Sequence, residues 1–169
     1  GGKGKMMNTE SLFSIRAMRL EDVDALTPVM KAAFDEDTRR HTDLMEDGPE
    51  GYDDGRLLRG FLADPDAFCR TLWQGSRRIG ALVYRKEGDV CVGDILFVDP
   101  SLHGFGFGRQ AMAALESEAA GCRLIRLETP DYSTRNHRFY EHCGYRRLDE
   151  PGFWAQTVVF AKDLPEDGR

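Results

Sequence analysis

Three glycines at alternate positions, Gly104, Gly106 and Gly108, are the feature that most limits what this chain can fold into. They lie between an apolar strand-like run that ends at Val98 and a run whose apolar residues have helical spacing. Because glycine lacks a side chain, backbone N–H groups at such a turn can point together at one anion, and the dipole of the following helix adds to the attraction. The turn therefore predicts a site for a diphosphate.

The turn differs from two common nucleotide-binding turns. The dinucleotide-binding pattern needs a glycine at position 109, which is Arg109 here, and the phosphate loop of nucleotide hydrolases needs Gly-Lys-Ser/Thr. The sequence therefore argues against both hydride transfer and nucleotide hydrolysis as the activity of this chain. Taken alone, the glycines are explained equally well by a connector that binds nothing, so the surrounding sequence has to decide.

Apolar periodicity predicts seven strands and four helices. The predicted strands cover residues 13–17, 68–73, 79–85, 90–98, 124–128, 145–148 and 153–162. The predicted helices cover residues 20–34, 56–62, the stretch from the glycine turn to 121, and 133–143. Short gaps between the second, third and fourth strands indicate antiparallel hairpins. The predicted order is β-α-α-β-β-β-α-β-α-β-β, an α/β chain of the α+β type.

The length of 169 residues is that of one domain with one core, and we assign residues 11–169 to it. Residues 1–10 begin with a Gly/Lys run and are interpreted as a disordered tail or a cloning remnant. No apolar run approaches the roughly 20 residues of a membrane span, and the first residues lack the apolar core of a secretion signal. We therefore expect a cytoplasmic protein without membrane contact, with its four scattered cysteines reduced.

Negative charge is concentrated in one acidic segment, residues 35–54, which contains nine carboxylates and two arginines. The whole chain has a net charge of −6, which argues against a nucleic-acid partner, because phosphate backbones need a basic surface. The four histidines form no close ligand cluster in the sequence, so no metal is expected.

Two segments resemble the signature motifs of the GNAT superfamily of N-acetyltransferases. In residues 97–108 a strand ends in Val-Asp-Pro before His-Gly-Phe-Gly-Phe-Gly, similar to the family's Val-x-Pro and Arg/Gln-x-x-Gly-x-Gly/Ala. Residues 139–145, Phe-Tyr-Glu-His-Cys-Gly-Tyr, are similar to the family's Phe-Tyr-x-x-x-Gly-Phe/Tyr. The resemblance implies the GNAT fold, with a central, mixed but mostly antiparallel twisted sheet, and acetyl-CoA as cosubstrate.

The resemblance also implies which residues bind the cosubstrate. The glycine turn would hold the pyrophosphate of CoA, and a slot between the fourth and fifth strands would hold its pantetheine arm. His103 stands where the family has Arg or Gln, so backbone amides are expected to do most of the binding, and affinity is expected to fall as pH rises. Asn136 is preferred to Ser133 as the pantetheine contact, and Phe139 is expected mainly to pack its helix on the sheet. The implied cofactor-binding residues are Phe97, Val98, His103, Gly104, Phe105, Gly106, Phe107, Gly108, Arg109, Asn136 and Phe139.

Acetyl transfer to an amine needs a neutral amine, a polarised carbonyl and a proton for the leaving thiolate. By the resemblance, a backbone N–H near Val98 polarises the carbonyl, and the Tyr140 hydroxyl is the acid; a tyrosine that only packs is the alternative. Asp94 and Glu128, on the two strands that flank the slot, are the candidate bases. Each is equally well explained as an ordinary strand carboxylate.

The acceptor is predicted from the acidic segment, which the resemblance places on the acceptor side of the site. A cationic small-molecule amine such as a polyamine would be drawn to it, or the segment is a solvated loop that selects nothing. Trp154 and Tyr52 are candidates for lining the acceptor pocket or for a homodimer contact. We therefore predict an N-acetyltransferase that passes acetyl directly to a small-molecule primary amine in a ternary complex. The alternatives are a non-catalytic acyl-CoA-binding module and, with less support, a binder of nucleic-acid or nucleotide phosphate.

Overall fold

A seven-stranded sheet with helices on both faces forms the part of the chain that the structure, a computed structural model, describes, namely residues 12–166. The strands are β1 (Phe13–Ala17), β2 (Phe68–Gln74), β3 (Arg77–Glu87), β4 (Val90–Val98), β5 (Leu124–Pro130), β6 (Arg146–Leu148) and β7 (Thr157–Asp163). The helices are α1 (Leu20–His41), α2 (Arg56–Ala63), α3 (Phe107–Glu118) and α4 (Thr134–His142). This order confirms the predicted one, while the predicted tail, residues 1–10, lies outside the described residues.

Strand pairing makes the sheet mixed. The strand order is β1-β2-β3-β4-β5-β7-β6, and every neighbouring pair is antiparallel except β4 and β5, which are parallel. A parallel pair needs a crossover connection, and α3 supplies it. The expectation of a mixed, mostly antiparallel sheet is confirmed.

Alternating side chains of the central strands divide the core between the two faces of the sheet. Val83 and Phe97 pack with residues of α1 and α2, whereas Leu82 and Ile125 pack with residues of α3 and α4. Three of the four cysteines, all free thiols, are buried in these cores. Within residues 12–166, no helix is long and apolar enough to cross a membrane.

β4 contains a bulge at Asp94. The register with β3 shifts between Val83 and Tyr84, which leaves Asp94 without a partner on β3. Cys91 and Ile95 would share one face of a regular strand, yet they lie in opposite cores. The extra residue therefore reverses which side chains of β4 face each core beyond the bulge.

Two elements differ from their predicted bounds. α1 extends to His41, beyond the predicted end at Phe34, because polar residues such as Asp37 continue its buried face and find partners elsewhere in the fold. β7 begins at Thr157, so residues 153–156, predicted as strand, form a loop before it. The apolar periodicity used for the prediction of α1 stops at its last apolar residue, whereas the helix itself continues because polar contacts stabilise its later turns.

Candidate active site

β4 and β5 run side by side only at their first residues. Their register pairs extend from Val90↔Leu124 to Gly93↔Leu127, but β4 continues to Val98 and β5 to Pro130. Beyond Leu127 the two strands part, starting at the bulge in β4. The result is a slot between two strand edges whose backbone groups have no ladder partner across it.

The backbone of β4 presents Val98 to this slot. The N–H of Asp99 donates to the carbonyl of Ile79 on β3 at 2.7 Å. Backbone groups of successive strand residues point to opposite sides, so the N–H and carbonyl of Val98 point away from β3, toward the slot. The imidazole of His103 is near enough to the Val98 main chain for that main chain to influence the pKa of the imidazole. The Val98 N–H therefore lies at the open edge of the slot, at the position that the family resemblance implied for a donor.

The glycine turn follows β4 directly and leads into α3 through a short 3₁₀ turn over Pro100–Leu102. Gly104 and Gly106 have φ of 89° and 86°, in the region that favours glycine, and a Cβ at either would have no neighbouring atom within 4 Å. Gly106 caps the N-terminus of α3, whose first N–H groups have no partner within the helix. Room beside the backbone, free N–H groups and the helix dipole together fit an anionic diphosphate.

The side chains around this turn have different surroundings. Phe105 and Arg109 are exposed, whereas Phe107 is buried and stacks on Phe13 with ring centroids 6.2 Å apart. Phe97 is buried under α1, and its N–H points toward β3 by the same alternation that turns Val98 toward the slot. The side chains of Phe107 and Phe97 therefore both lie outside the slot.

Gly108 and Phe139 are in mutual contact. A Cβ at Gly108 would lie 3.2 Å from the ring of Phe139, so this glycine allows α3 and α4 to approach each other. Phe139 is half-buried against the core between these helices and the sheet. The expectation that Phe139 packs its helix on the sheet agrees with this placement.

His103 lies in cationic surroundings. Partial burial, together with the charges of Arg135 and Arg40, lowers the pKa of His103, although the Val98 carbonyl and Glu36 act in the opposite direction. The imidazole is therefore neutral at pH 7 and above. Any pH dependence that it gives to anion binding lies on the acid side of neutrality, so the expected fall in affinity does not extend above pH 7.

Tyr140 lies on α4 at the root of the slot. Its side chain packs on Phe160 of β7, with ring centroids 5.7 Å apart, and Phe160 pairs with Leu127, where β4 and β5 separate. The residue is 9% exposed, and its hydroxyl forms no hydrogen bond with any group in residues 12–166. The hydroxyl of Tyr145 also lacks a partner but is sealed in the core, unlike that of Tyr140. Burial, and then the charge of Asp37, raise the pKa of Tyr140 to about 12.

Asn136 lies one turn before Tyr140 on α4. Its amide nitrogen is 3.4 Å from Oγ1 of Thr129, on the part of β5 that has left β4. Ser133, the alternative contact, is fully buried, and its hydroxyl donates to Asp37 at 2.9 Å. Of the two, only Asn136 contacts the part of β5 that has left β4 without itself being bound to a charged side chain.

Polar contacts that the sequence did not predict join the end of α1 to the start of α4. Arg135 holds Glu36 with two hydrogen bonds, Nη1 to Oε1 at 3.0 Å and Nη2 to Oε2 at 2.5 Å. The Ser133–Asp37 bond lies beside them. α1 also contacts the 3₁₀ turn that follows β4, and the charges of Glu36 and Arg40 near its end act on His103. The last turns of α1 therefore lie near the ends of both strands that form the slot. The sequence contained one sign that the helix continues to these residues: Asp37 and His41 have the spacing that continues the buried face of Met30 and Phe34.

The two predicted bases are both engaged. Asp94 accepts a hydrogen bond from Arg85 Nε at 2.7 Å, and burial raises its pKa although Arg85 opposes this. Glu128 uses a single oxygen, Oε1, to accept hydrogen bonds from the Trp154 N–H at 3.0 Å and the Thr157 hydroxyl at 2.8 Å. Asp94 is thus tied to β3, and Glu128 holds the loop before β7.

The acidic segment is only partly a loop. Its first residues belong to α1, and Asp35 accepts a hydrogen bond from the buried Tyr52 hydroxyl at 2.6 Å. Tyr52 is thus fixed in the core on the α1 side, whereas Trp154 is 66% exposed. Among residues 12–166, no group of three or more His, Cys, Asp or Glu side chains is placed to hold a metal ion.

Comparison with known proteins decides the family. Residues 30–145 match the sequence model of the acetyltransferase (GNAT) family. The chain belongs to the GNAT family. An acetyltransferase from Thermus thermophilus shares the fold with a TM-score of 0.74 at 19% identity, over 90% of this chain and 97% of that one. The GNAT fold implied by the two sequence motifs is confirmed.

Two further relatives of this GNAT chain are informative. The spermidine N-acetyltransferase of Vibrio cholerae, solved with CoA and spermine, aligns with a TM-score of 0.67 at 13% identity, over 91% of this chain and 96% of that one. YrkN of Bacillus subtilis strain 168, an uncharacterized protein, is 29% identical over 107 residues. That match covers 62% of this chain, which spans 57% of the length of YrkN. At these identities the structural likeness establishes the fold.

Proposed function

We propose that this GNAT chain is an N-acetyltransferase that passes the acetyl group of acetyl-CoA directly to a primary amine of a small molecule. The observation that carries the proposal is the slot between β4 and β5, with the unpartnered hydroxyl of Tyr140 at its root. Open strand edges and an unpaired, mostly buried hydroxyl both cost stability unless another molecule satisfies them. A bound thioester with its pantetheine arm would satisfy both.

The glycine turn supports the binding half of the proposal. Gly104 and Gly106 leave open space beside free N–H groups at the start of α3, and the exposed Arg109 adds a positive charge nearby. We assign the pyrophosphate of CoA to this turn and the pantetheine arm to the slot, with Asn136 as its side-chain contact. His103, neutral at pH 7, contributes as part of the slot wall rather than as a cation.

The chemical half follows from Val98 and Tyr140. Acetyl-CoA supplies a thioester that an amine can attack. The Val98 N–H faces the slot and is the proposed donor to the oxygen that becomes negative during attack. Tyr140 keeps its proton well above neutral pH, since burial and Asp37 raise its pKa to about 12, and it is the proposed donor to the departing thiolate.

The proposed acceptor is a cationic amine. Of the three consecutive carboxylates at the end of α1, Asp35 is bound by Tyr52 and Glu36 by Arg135. Asp37 keeps one oxygen without a hydrogen bond from residues 12–166, and such a group attracts positive charge. Spermine in the Vibrio cholerae enzyme is consistent with this choice without fixing it for this chain. Asp94 and Glu128 remain candidate bases, although each already serves a contact within the fold.

The proposal is tested by measuring release of the CoA thiol from acetyl-CoA across polyamines, aminoglycosides and lysine-like amines. Tyr140→Phe should lower kcat by about 10²-fold or more with CoA binding intact. Tyr145→Phe is its matched control, because that hydroxyl is also unpartnered but sealed away. Gly106→Trp should abolish CoA binding, whereas Gly88→Trp, at a remote turn with positive φ and open space, should not. Tight CoA binding without turnover of any amine would favour the non-catalytic acyl-CoA-binding module.

A further inference from the structure

Asp37 stands apart from the other carboxylates near the slot. It is 9% exposed, and Ser133 Oγ at 2.9 Å and His41 Nδ1 at 3.2 Å both contact the same oxygen, Oδ1. Arg135 Nη2 lies 3.9 Å from Oδ1 as well. The second oxygen, Oδ2, accepts no hydrogen bond from any group in residues 12–166. One carboxylate oxygen is therefore fixed by the fold, while the other is free to meet a ligand.

The contacts of Asp37 place it over the slot. Ser133, which holds it, lies in the turn between β5 and α4, just beyond the part of β5 that has left β4. The helix that carries Asp37 also contacts the turn after β4. Tyr140 is on the same short helix that Ser133 precedes, and its hydroxyl is likewise without a protein partner. The charge of Asp37 acts on Tyr140, so the two groups lie near each other. Two mostly buried polar groups with unused hydrogen-bonding capacity are thus found together at one end of the slot.

The predicted bases are less buried than Asp37, and each holds another part of the fold. Asp94 is bound by Arg85, and Glu128 supports two groups of the loop before β7. Glu36, beside Asp37, is held through both oxygens by Arg135. Glu128 also keeps one oxygen, Oε2, without a hydrogen bond from residues 12–166. Asp37 is the most buried of these four carboxylates, and its bond to Ser133 ties it to the turn between β5 and α4.

We propose that Asp37 binds the ammonium group of the acceptor through Oδ2 and takes up the proton that the amine must lose before it attacks. The inference rests on the proposed N-acetyltransferase function. His41 and Ser133 act as positioning residues for Asp37. Two acceptors lie near His41 Nδ1, namely the main-chain carbonyl of Asp37 at 3.0 Å and its Oδ1 at 3.2 Å, so that nitrogen carries a hydrogen and donates it. The substrate class is an amine that is protonated at neutral pH.

The proton balance of the reaction gives Asp37 a defined task. An alkylammonium ion has no lone pair, so one N–H proton passes first to Asp37 and from there to solvent. The neutral nitrogen then attacks the thioester carbon, forming the N–C bond while the C–S bond breaks. The thiolate takes the proton of Tyr140, and the second proton released by the nitrogen restores the tyrosine. One proton is released overall, and nothing is oxidised or reduced.

The test compares acceptors of graded basicity at one pH. Thiol release from acetyl-CoA is measured at pH 7.5 with ethylamine and its mono-, di- and trifluoro derivatives, whose basicity falls with each fluorine while their size changes little. Asp37→Asn keeps an oxygen for the Ser133 and His41 donors but cannot accept the proton. The matched control is Asp24→Asn, an exposed carboxylate on the same helix. Binding of CoA and thermal unfolding of each variant are recorded alongside.

We expect Asp37→Asn to lose about 10²-fold in kcat/KM with ethylamine and less than about threefold with trifluoroethylamine, which is largely neutral at this pH. CoA binding should be unchanged, and Asp24→Asn should match the wild type with every amine. A loss of equal size across the series, or no loss with ethylamine, would overturn the role of Asp37 and leave the acetyltransferase intact. Absence of turnover by the wild type with every amine would instead refute the proposed function, and this inference with it.

Discussion

The Glu36–Arg135 contact, which holds the end of α1 over the slot, gives a prediction whose size follows from the structure. Burial alone would raise the pKa of Glu36, but hydrogen bonds and charges from Arg135 and Arg40 outweigh it and lower the pKa from 4.5 to about 2. A shift of roughly 2.5 units corresponds to ~3.4 kcal/mol at ~1.36 kcal/mol per unit. Because the side chain is 22% exposed, solvent screening reduces this value. We predict that Glu36→Gln lowers the free energy of unfolding by about 2 kcal/mol at pH 7.

The pH dependence has a definite sign. The pKa of Glu36 is lower in the folded chain than in the unfolded one, so its contribution is complete above pH 4.5 and disappears as the pH falls through 2. At pH 3.5, about 40% of the contribution is already lost. The difference between wild type and Glu36→Gln should therefore be clearly smaller at pH 3.5 than at pH 7.

Urea unfolding at the two pH values measures the Glu36 prediction. The control is Glu21→Gln on the same helix, where the side chain is 65% exposed and a change below about 0.5 kcal/mol is expected. The double variant Glu36→Gln/Arg135→Gln should lose less than the sum of the single variants, because both remove the same contact. A Glu36→Gln effect no larger than that of Glu21→Gln at pH 7, or one of equal size at both pH values, would refute the reasoning.

Three further predictions concern the slot and its surroundings. Gly106→Ala and Gly88→Ala should each cost ~1 kcal/mol of stability, because both glycines have a positive φ. Only Gly106→Ala should also weaken CoA binding, at least tenfold by calorimetry. Burial and two neighbouring arginines lower the pKa of His103, so its neutral form stabilises the fold above pH 6.5; stability should fall as the pH drops below 6.5 in the wild type, and less so in His103→Gln. Glu128→Gln should raise the acceptor KM more than it lowers kcat, because the carboxylate holds the Trp154 loop, and a 10²-fold fall in kcat alone would identify it as the base instead.

The element order and the glycine turn could be predicted from the sequence because both are set locally. Apolar spacing defines strands and helices wherever one face is buried, and glycine at 104 and 106 meets a local need, a positive φ. The parting of β4 and β5 was available only through the family resemblance. No property of residues 94–98 by itself shows that a neighbouring strand turns away from them.

The end of α1 could not be predicted in the same way. Asp37 is held by Ser133, 96 positions along the chain, and Glu36 by Arg135, 99 positions along. Without those partners a run of carboxylates favours a solvated loop, which was one of the two interpretations of the acidic segment. The engagement of Glu128 was hidden for the same reason, since its partner Trp154 was predicted to lie in a strand rather than a loop.

A buried carboxylate on α1 and the parting of β4 and β5 are two departures from ordinary packing, and they occur at the same place. Their proximity supports a site there independently of the family resemblance. Along α1, the buried face is apolar at Leu26 and Met30, where it covers paired strands, and becomes polar at Asp37, where β4 and β5 have parted. A helix that only covered a sheet would gain more from apolar residues there, because each buried carboxylate must be compensated by partners. The polar turn of the helix lies near the place where the strands part. The stability cost of the buried carboxylate and that of the unpaired strand edges are both explained if a polar substrate enters between them.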